Sequence, residues 1–279
     1  MTLSTTNSNR SFLTSEVTSL VVEPARALSI ATQITTGISS NSHELRVPIL
    51  TEDPSAEWTG EGQEITISDA AVDEAVATFD KISGLTIVTN ELANDSSPAA
   101  ADMVGEGLAR DIARKIDAAF FGSKGTNTLQ PAGLEDLNGT NLISVADEWA
   151  NIDPFLEAEF AAASADAQLT AWVANPNDAK ALSMIKEGTG SNRNLLQPDP
   201  TAPTNRTISG IPLWTTKAVT QGIVWGIPMQ YAIIAMRQNA TLDIDKSAFF
   251  TSDRTAIRAT MRVGFLFTNP AGIQKIQLQ

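Results

Sequence analysis

The sequence contains no cysteine, which removes disulfides, thiolate metal sites and a cysteine nucleophile from consideration. A Ser–His–Asp triad would have to use His43, the one histidine. His43 lies in a polar segment outside any strand–turn–helix elbow and reads as a solvated loop residue. No apolar run approaches the roughly 18 residues of a membrane span. The opening MTLSTTNSNR also lacks the apolar core of a signal peptide, so the expectation is an intracellular product with no membrane partner. Positive charge is scarce as well: 19 Lys and Arg stand against 32 Asp and Glu, a net charge of -13. Gripping nucleic acid needs clustered Lys and Arg, and this balance argues against that task. A surface of this sign would instead repel DNA and let it slide.

What is present is organised around Val47 to Gly122. From Val47 to Asp80 there is no basic residue. Asp53-Pro54 and Gly60-Glu61-Gly62 are turn signals. Gln63–Ile67 and Val72–Phe79 are strand candidates around a turn at Ser68-Asp69, which predicts an extended acidic hairpin. An arm that is polar on both sides has no face to bury in its own core. Trp58 lies in a run otherwise too polar for a core, so it either packs locally or anchors into a neighbouring subunit. Leu85–Thr89 returns as a more apolar strand.

A helix over 97–121 follows. Ser97 suits the N-cap and Pro98 the first helical position. Val104, Leu108, Ile112, Ile116 and Phe120 make one apolar stripe. Glu106 with Arg110 and Asp111 with Lys115 have the spacing of helical ion pairs, and Gly122 marks the end. Gly105 and Gly107 inside this helix cost about 1 kcal/mol each, which suggests close approach of another backbone, a bend, or small residues in a packed interface.

Before the arm, SEVTSLVV over 15–22 reads as a short helix after Thr14, and 27–36 as β-leaning. After the helix, elements alternate: an Ala-rich helix after Asp153-Pro154, a buried strand LTAWVA over 169–174, and a helix from Asn175-Pro176 to Gly188. An irregular loop over 188–207 precedes strands at 208–214, 222–226 and 231–236. The chain ends in strands at 240–245, 255–267 and 272–278. In the second of these, Ile257, Ala259, Met261, Val263, Phe265 and Phe267 face one way, and Arg258 and Arg262 the other. That sheet should pack on the helix stripe, and the fold class is α+β.

No constellation of residues points to catalysis. Glu61 with Glu64, Asp73 with Glu74 and Asp243 with Asp245 are carboxylate pairs, so a carboxylate-based hydrolase stays open as a minor reading. Asp243-x-Asp245 lacks the glycine and distal glutamate of a calcium loop. Gly60-x-Gly62 and Gly188-x-Gly190 lack the rest of a phosphate-binding motif. No catalytic residue, metal or cofactor is expected.

The ordered set VPILTEDPSAEWTGEGQEI, GLTIVTNELANDSSPAAADMVGEGLARDIARKIDAAFFG, PAGL, WVANPNDAKAL, LLQPDP, GIPLWTTKAV, DRTAIR and RVGF resembles the major capsid proteins of tailed bacteriophages of the Hong Kong 97 type, from about residue 12 to the C-terminus. The resemblance implies an N-arm over 1–46 and an extended E-loop with its strands over 47–84. A P-domain would take 85–130, with its spine helix at 97–121, and an A-domain 131–239. P-domain strands and a last strand returning to the core would fill 240–279.

It further implies a virion protein, assembled in the host bacterial cytoplasm, that self-associates as hexamers and pentamers into an icosahedral shell around double-stranded DNA. The DNA would be held by weak non-specific proximity only. A portal protein at one vertex is implied, and separate scaffold and decoration or cement proteins are possible partners. The type member welds its shell by an isopeptide bond from an E-loop lysine to an asparagine of a neighbour. This sequence has no Lys between Val47 and Asp80 and no Asn between Lys246 and Arg254, so no cross-link is expected. A fused scaffold would precede the N-arm. Here the scaffold is expected to be separate, absent or already removed, with Met1 arguing against removal. Contacts between subunits are expected from Glu57, Trp58, Glu61 and Glu64 of the arm to Arg46, Arg110, Arg114, Arg258 and Arg262. An encapsulin-type bacterial nanocompartment on the same fold is the alternative reading.

Overall fold

The structure is a computed structural model that describes residues 28–52, 54–64, 67, 69, 71–89, 99–188, 190–196 and 206–279. In chain order its first half contains α1 (Ile30–Ile34), β1 (Thr36–Ser40), β2 (Glu44–Glu52), β3 (Ala71–Thr78), β4 (Asp80–Thr89) and the long helix α2 (Ala99–Phe121). Then come β5 (Asn141–Val145), α3 (Asp153–Ser164), β6 (Ala171–Ala174), α4 (Pro176–Met184), β7 (Arg206–Ile208), β8 (Ile211–Thr215) and β9 (Ile223–Ile227). The chain closes with β10 (Ala232–Phe249), β11 (Arg254–Phe267) and β12 (Gln274–Leu278). The strands form a four-stranded sheet in the order β1-β10-β11-β4, a six-stranded sheet in the order β5-β12-β9-β6-β8-β7, and the two-stranded ribbon β2-β3.

The main core lies where α2 meets both sheets. Ile112, Ile116 and Phe120 of α2 cluster with Met236, Ala259, Met261, Val263 and Phe265 of β10 and β11, as the stripe and the alternation predict. Phe120 is fully buried. Its ring stands edge-on to Phe121 and Phe265 at 5.1 and 5.2 Å between centroids. The six-stranded sheet is buried on both faces. Ala171, Val173, Ile223 and Trp225 face this core, while Trp172, Ala174 and Val224 face a second one beneath α3 and α4 with Phe155 and Leu182. Two-sided burial explains why these strands read as continuous apolar runs. Gly133 sits directly on the end of α2, where a Cβ would collide with the carbonyl oxygens of Ala119 and Gly122.

Several sequence expectations need correction. Part of 27–36 is helical: Ser29 caps α1, its hydroxyl accepting from the Thr32 N–H. The expected strands at 231–236 and 240–245 are one 18-residue strand, β10, and its register against β11 shifts between Arg237 and Thr241. The last strand does not close the sheet of β11; β12 lies between β5 and β9 in the other sheet. The single strand expected at 208–214 is the hairpin β7–β8, turning at Ser209 and Gly210, which hold φ of 53 and 81. Among the described residues a Cβ at Gly107 would meet only Arg110, at 4.0 Å, so no close approach by any of them explains that glycine. Among the described residues Glu106–Arg110 forms an ion pair at 3.5 Å and Asp111–Lys115 does not. The expected helix at 15–22 and the caps Ser97 and Pro98 lie outside the described residues.

One buried carboxylate ties the start of the described chain to α2. Asp117 is 6% exposed. Its Oδ1 accepts from the Ser29 hydroxyl at 2.7 Å and the Ala31 N–H at 3.0 Å, and its Oδ2 from the Ile30 N–H at 3.3 Å. Burial pushes this carboxyl above its ordinary pKa, and the three donors hold the rise in check. The folded chain therefore binds this proton more tightly than the unfolded chain. The resulting stability is fully present below the ordinary carboxylate pKa and is lost as pH rises through the raised folded value.

Two measurements follow from these contacts. Phe120→Ala should lower unfolding stability by about 3–5 kcal/mol, read by denaturant melting. Asp117→Asn, which cannot titrate, should lack the decline in stability between those two pH values and keep slow amide exchange over Ile30–Ile34. Asp117→Leu should cost roughly 1–3 kcal/mol through orphaned buried donors and speed that exchange. Identical pH profiles for the wild type and Asp117→Asn would refute the latch.

Candidate functional site

The extended arm is real, but its pairing differs from the expectation. Glu44–Glu52 pairs antiparallel with Ala71–Thr78, Glu44 opposite Thr78 and Leu50 opposite Val72. Of the predicted partner strand 63–67, Gln63, Glu64 and Ile67 carry no strand structure, and residues 65 and 66 lie outside the described residues. Ser68 of the expected turn lies outside the described residues. The expected turn at Gly60 is present, closed by the Gln63 N–H on the Gly60 carbonyl at 3.1 Å, with Gly62 at φ 80.

The arm is not polar on both sides along its whole length. At its root Leu45, Val47, Ala75 and Ala77 turn inward onto Ile38, Ile233 and Leu266. A two-stranded ribbon is marginal by itself in water, and this small core fixes it to the sheet. The fit depends on Gly264, where a Cβ would lie 2.5 Å from the Thr78 carbonyl oxygen. The ribbon thus covers one end of the sheet face opposite α2. Residues 54–64 beyond it are exposed, and Trp58 is fully exposed, at 106% relative area. Local packing of Trp58, one of its two expected placements, is excluded by that exposure.

The nine expected contact residues do not gather into one site. Glu57, Trp58, Glu61 and Glu64 share the exposed tip. Arg46 is at the root, where its guanidinium holds Glu44 at 3.1 Å and Glu74 at 3.3 Å. Those carboxylates raise its pKa further. Arg258 holds Asp243 at 2.7 Å across β10 and β11. With Arg110 on Glu106, three of the five arginines already have acids of their own chain. Arg114 is exposed on α2, and among the described residues no acid pairs with Arg114 or Arg262.

A group of basic residues escaped the sequence reading. His43, Lys81, Arg237 and Arg262 line one open pocket of about 410 Å³ on the sheet face beside the root, together with Thr260 and Met261. His43 is exposed in the turn between β1 and β2. The signal was hidden because 43, 81, 237 and 262 meet only through strand pairing. Among the described residues no group of three or more His, Cys, Asp or Glu could hold a metal, and no helix is long and apolar enough to cross a membrane. The Asp243–Asp245 pair is occupied locally, Asp243 by Arg258 and Asp245 by the Ser247 hydroxyl and N–H. The geometry presents surfaces for other molecules and no assembled catalytic group among these residues.

Comparison with known proteins gives the same picture. The model of the Phage capsid family matches residues 12–278. No curated protein matches. Among solved structures, a chain of Mycobacterium phage Cain superposes with a TM-score of 0.72 at 16% identity, covering 90% of both chains. One from Mycobacterium phage Adephagia gives 0.71 at 13% identity, again over 90% of both. The capsid of an empty GTA particle gives 0.71 at 18% identity over 88% of both. With a family match spanning nearly its whole length and the same fold in these structures, the chain belongs to the phage capsid family, as a structural major capsid protein of the Hong Kong 97-type fold.

Proposed function

We propose that many copies of this chain close, as hexamers and pentamers, into an icosahedral head shell around packaged double-stranded DNA, held by non-covalent contacts alone. The observation that carries this is the arm. It is rooted on its own sheet by Leu45, Val47, Ala75 and Ala77, yet it holds Trp58 and the acidic tip wholly in solvent. An exposed aromatic at the end of a rooted ribbon suits a subunit whose arm is completed by a neighbour.

In this reading the residues before the arm form an N-arm, and the ribbon with its tip is the E-loop. α2 with the β1-β10-β11-β4 sheet is the P-domain, and the six-stranded sheet with α3 and α4 is the A-domain. β1 pairs with β10, and β12 lies between β5 and β9, which supports grouping β1 with the P-domain and β12 with the A-domain. The chain is a structural component of the virion and not an enzyme, made in the bacterial cytoplasm. Its partners are further copies of itself, a portal protein at one vertex, and separate scaffold or decoration proteins where the shell uses them. The net charge of -13 keeps packaged DNA from adhering to the shell.

Non-covalent closure follows from the absence of lysine between Val47 and Asp80. Exposed ion pairs give about 0–1 kcal/mol each, so strength comes from repetition. Purified chain should form closed particles visible by negative-stain electron microscopy. A species that stays monomeric, alone and with its scaffold, would refute the shell. Particles boiled in detergent should run as monomer on denaturing gels, and a covalent ladder would refute the non-covalent reading. Replacing Ser55–Glu64 by a short Gly–Ser linker should leave the circular dichroism of the soluble subunit unchanged and cut particle yield at least tenfold.

A further inference from the structure

In the four-stranded sheet Arg237 of β10 is the register partner of Arg262 of β11, and Arg262 is the register partner of Lys81 of β4. Register partners share a face, so three cations stand in one row across three adjacent strands. Met236, Met261 and Val263 occupy the opposite face, toward α2. Like charges placed directly opposite repel. The same face shows the ordinary arrangement a few residues away, where Arg258 meets its register partner Asp243 at 2.7 Å. Among the described residues no acid pairs with Lys81, Arg237 or Arg262, and the Arg237 Nε is buried without a hydrogen-bond partner. The pocket they line with His43 contains no acidic residue. In a chain with 32 acids against 19 bases, a row of like charges with no paired acid among the described residues is matched by an anion from a second molecule.

The chain itself supplies a matching anion in the wrong place. The tip carries Glu57, Glu61 and Glu64 with no basic residue from Val47 to Asp80, whereas the cation row sits at the root. His43 immediately precedes β2, and Lys81 follows β3 by three residues. The nine residues of β2, at about 3.4 Å per residue, hold tip and root roughly 30 Å apart. A tip cannot fold back onto its own root while the β2–β3 ladder stands. Opposite charges at the two ends of one stiff element match head to tail between copies, as in a heterologous interface that closes into rings. Leu85 lies on the same face opposite Arg258 and is 63% exposed, offering Trp58 an apolar seat. Duplex DNA is the poorer fit, because holding it takes a longer basic track than three residues on a chain of this net charge.

We propose that Lys81, Arg237 and Arg262 form the receptor for the tip carboxylates, Glu61 and Glu64 foremost, of a second copy of this chain. The proposal rests on the shell reading above and names the seat of the arm. Particles assembled from a mixture of isotopically light and heavy wild-type chains, treated with a carbodiimide that joins a carboxylate to an amine at zero length, should yield a mixed-isotope peptide linking Lys81 to Glu57, Glu61 or Glu64. Well-formed particles in which Lys81 couples to none of these would overturn the receptor and leave the shell reading intact. Absence of particles from the wild type would instead sink the shell reading itself. Lys81→Glu with Arg262→Glu should reduce particle yield at least tenfold, and adding Glu61→Lys with Glu64→Lys to the same chain should restore it. Failure of the swap to restore yield counts against the proposal. So does normal assembly of the double glutamate variant with loss of binding to a short DNA duplex, which would make the pocket a phosphate site.

Discussion

Everything in the fold depends on the contact between the stripe of α2 and one face of β10 and β11. Ile112, Ile116 and Phe120 are withdrawn from water together with Met261, Val263 and Phe265. Each such side chain contributes about 1.5–3 kcal/mol when fully buried. Because strand side chains alternate, committing one face to α2 commits the other to whatever lies outside. Gly264, Leu266 and Ile233 on that outer face receive the root of the arm, and Arg237, Arg262 and Lys81 stand beside it with no acid paired to them among the described residues. The inner core therefore fixes where the arm stands and which charges it leaves open.

The arm itself is a graded element. Its root is half-buried and alternating, so it behaves as an ordinary strand pair. Its tip is polar, acidic and turned by glycine, so it has no means of joining its own core. Arg46 with Glu44 and Glu74 stitches the solvent side of the ribbon. The tip has no base in its own stretch of chain. Stiffness near the body with adhesiveness at the end is the division of labour expected of a part that grips a different molecule.

The sequence made legible what rests on local periodicity. The stripe from Leu108 to Phe120, the alternation from Ile257 to Phe265, the cap at Asn175 and the turn at Gly60–Gln63 all lie within a few residues of what determines them. What depends on distant pairing was not legible. Ser29 caps a helix partly because Asp117, 88 residues later, supplies the acceptor, and nothing near Ser29 announces it. The ribbon pairs Val47 with Ala75, across a loop that carries its own strand-like run at Gln63–Ile67. The gap between the strands expected at 231–236 and 240–245 instead lies where the β10 register shifts. The cation row became visible only once Arg237 had been set opposite Arg262. Its members are unremarkable singly, and the arginines that stood out in the sequence were mostly those already paired at home.

The length of β10 has a mechanical meaning. From Ala232 opposite Phe267 to Phe249 opposite Arg254, β10 and β11 form one antiparallel ladder interrupted only by two register shifts. Inter-strand hydrogen bonds in such a ladder lie across the strand direction. Tension applied along the strands loads many of them at once, as in a lap joint, whereas a pull across the sheet would peel them one after another. Hoop stress in a pressurised container acts in the plane of its wall. A subunit whose longest ladder lies along that stress would meet it in shear, its strongest mode, and would need no covalent weld to carry the load.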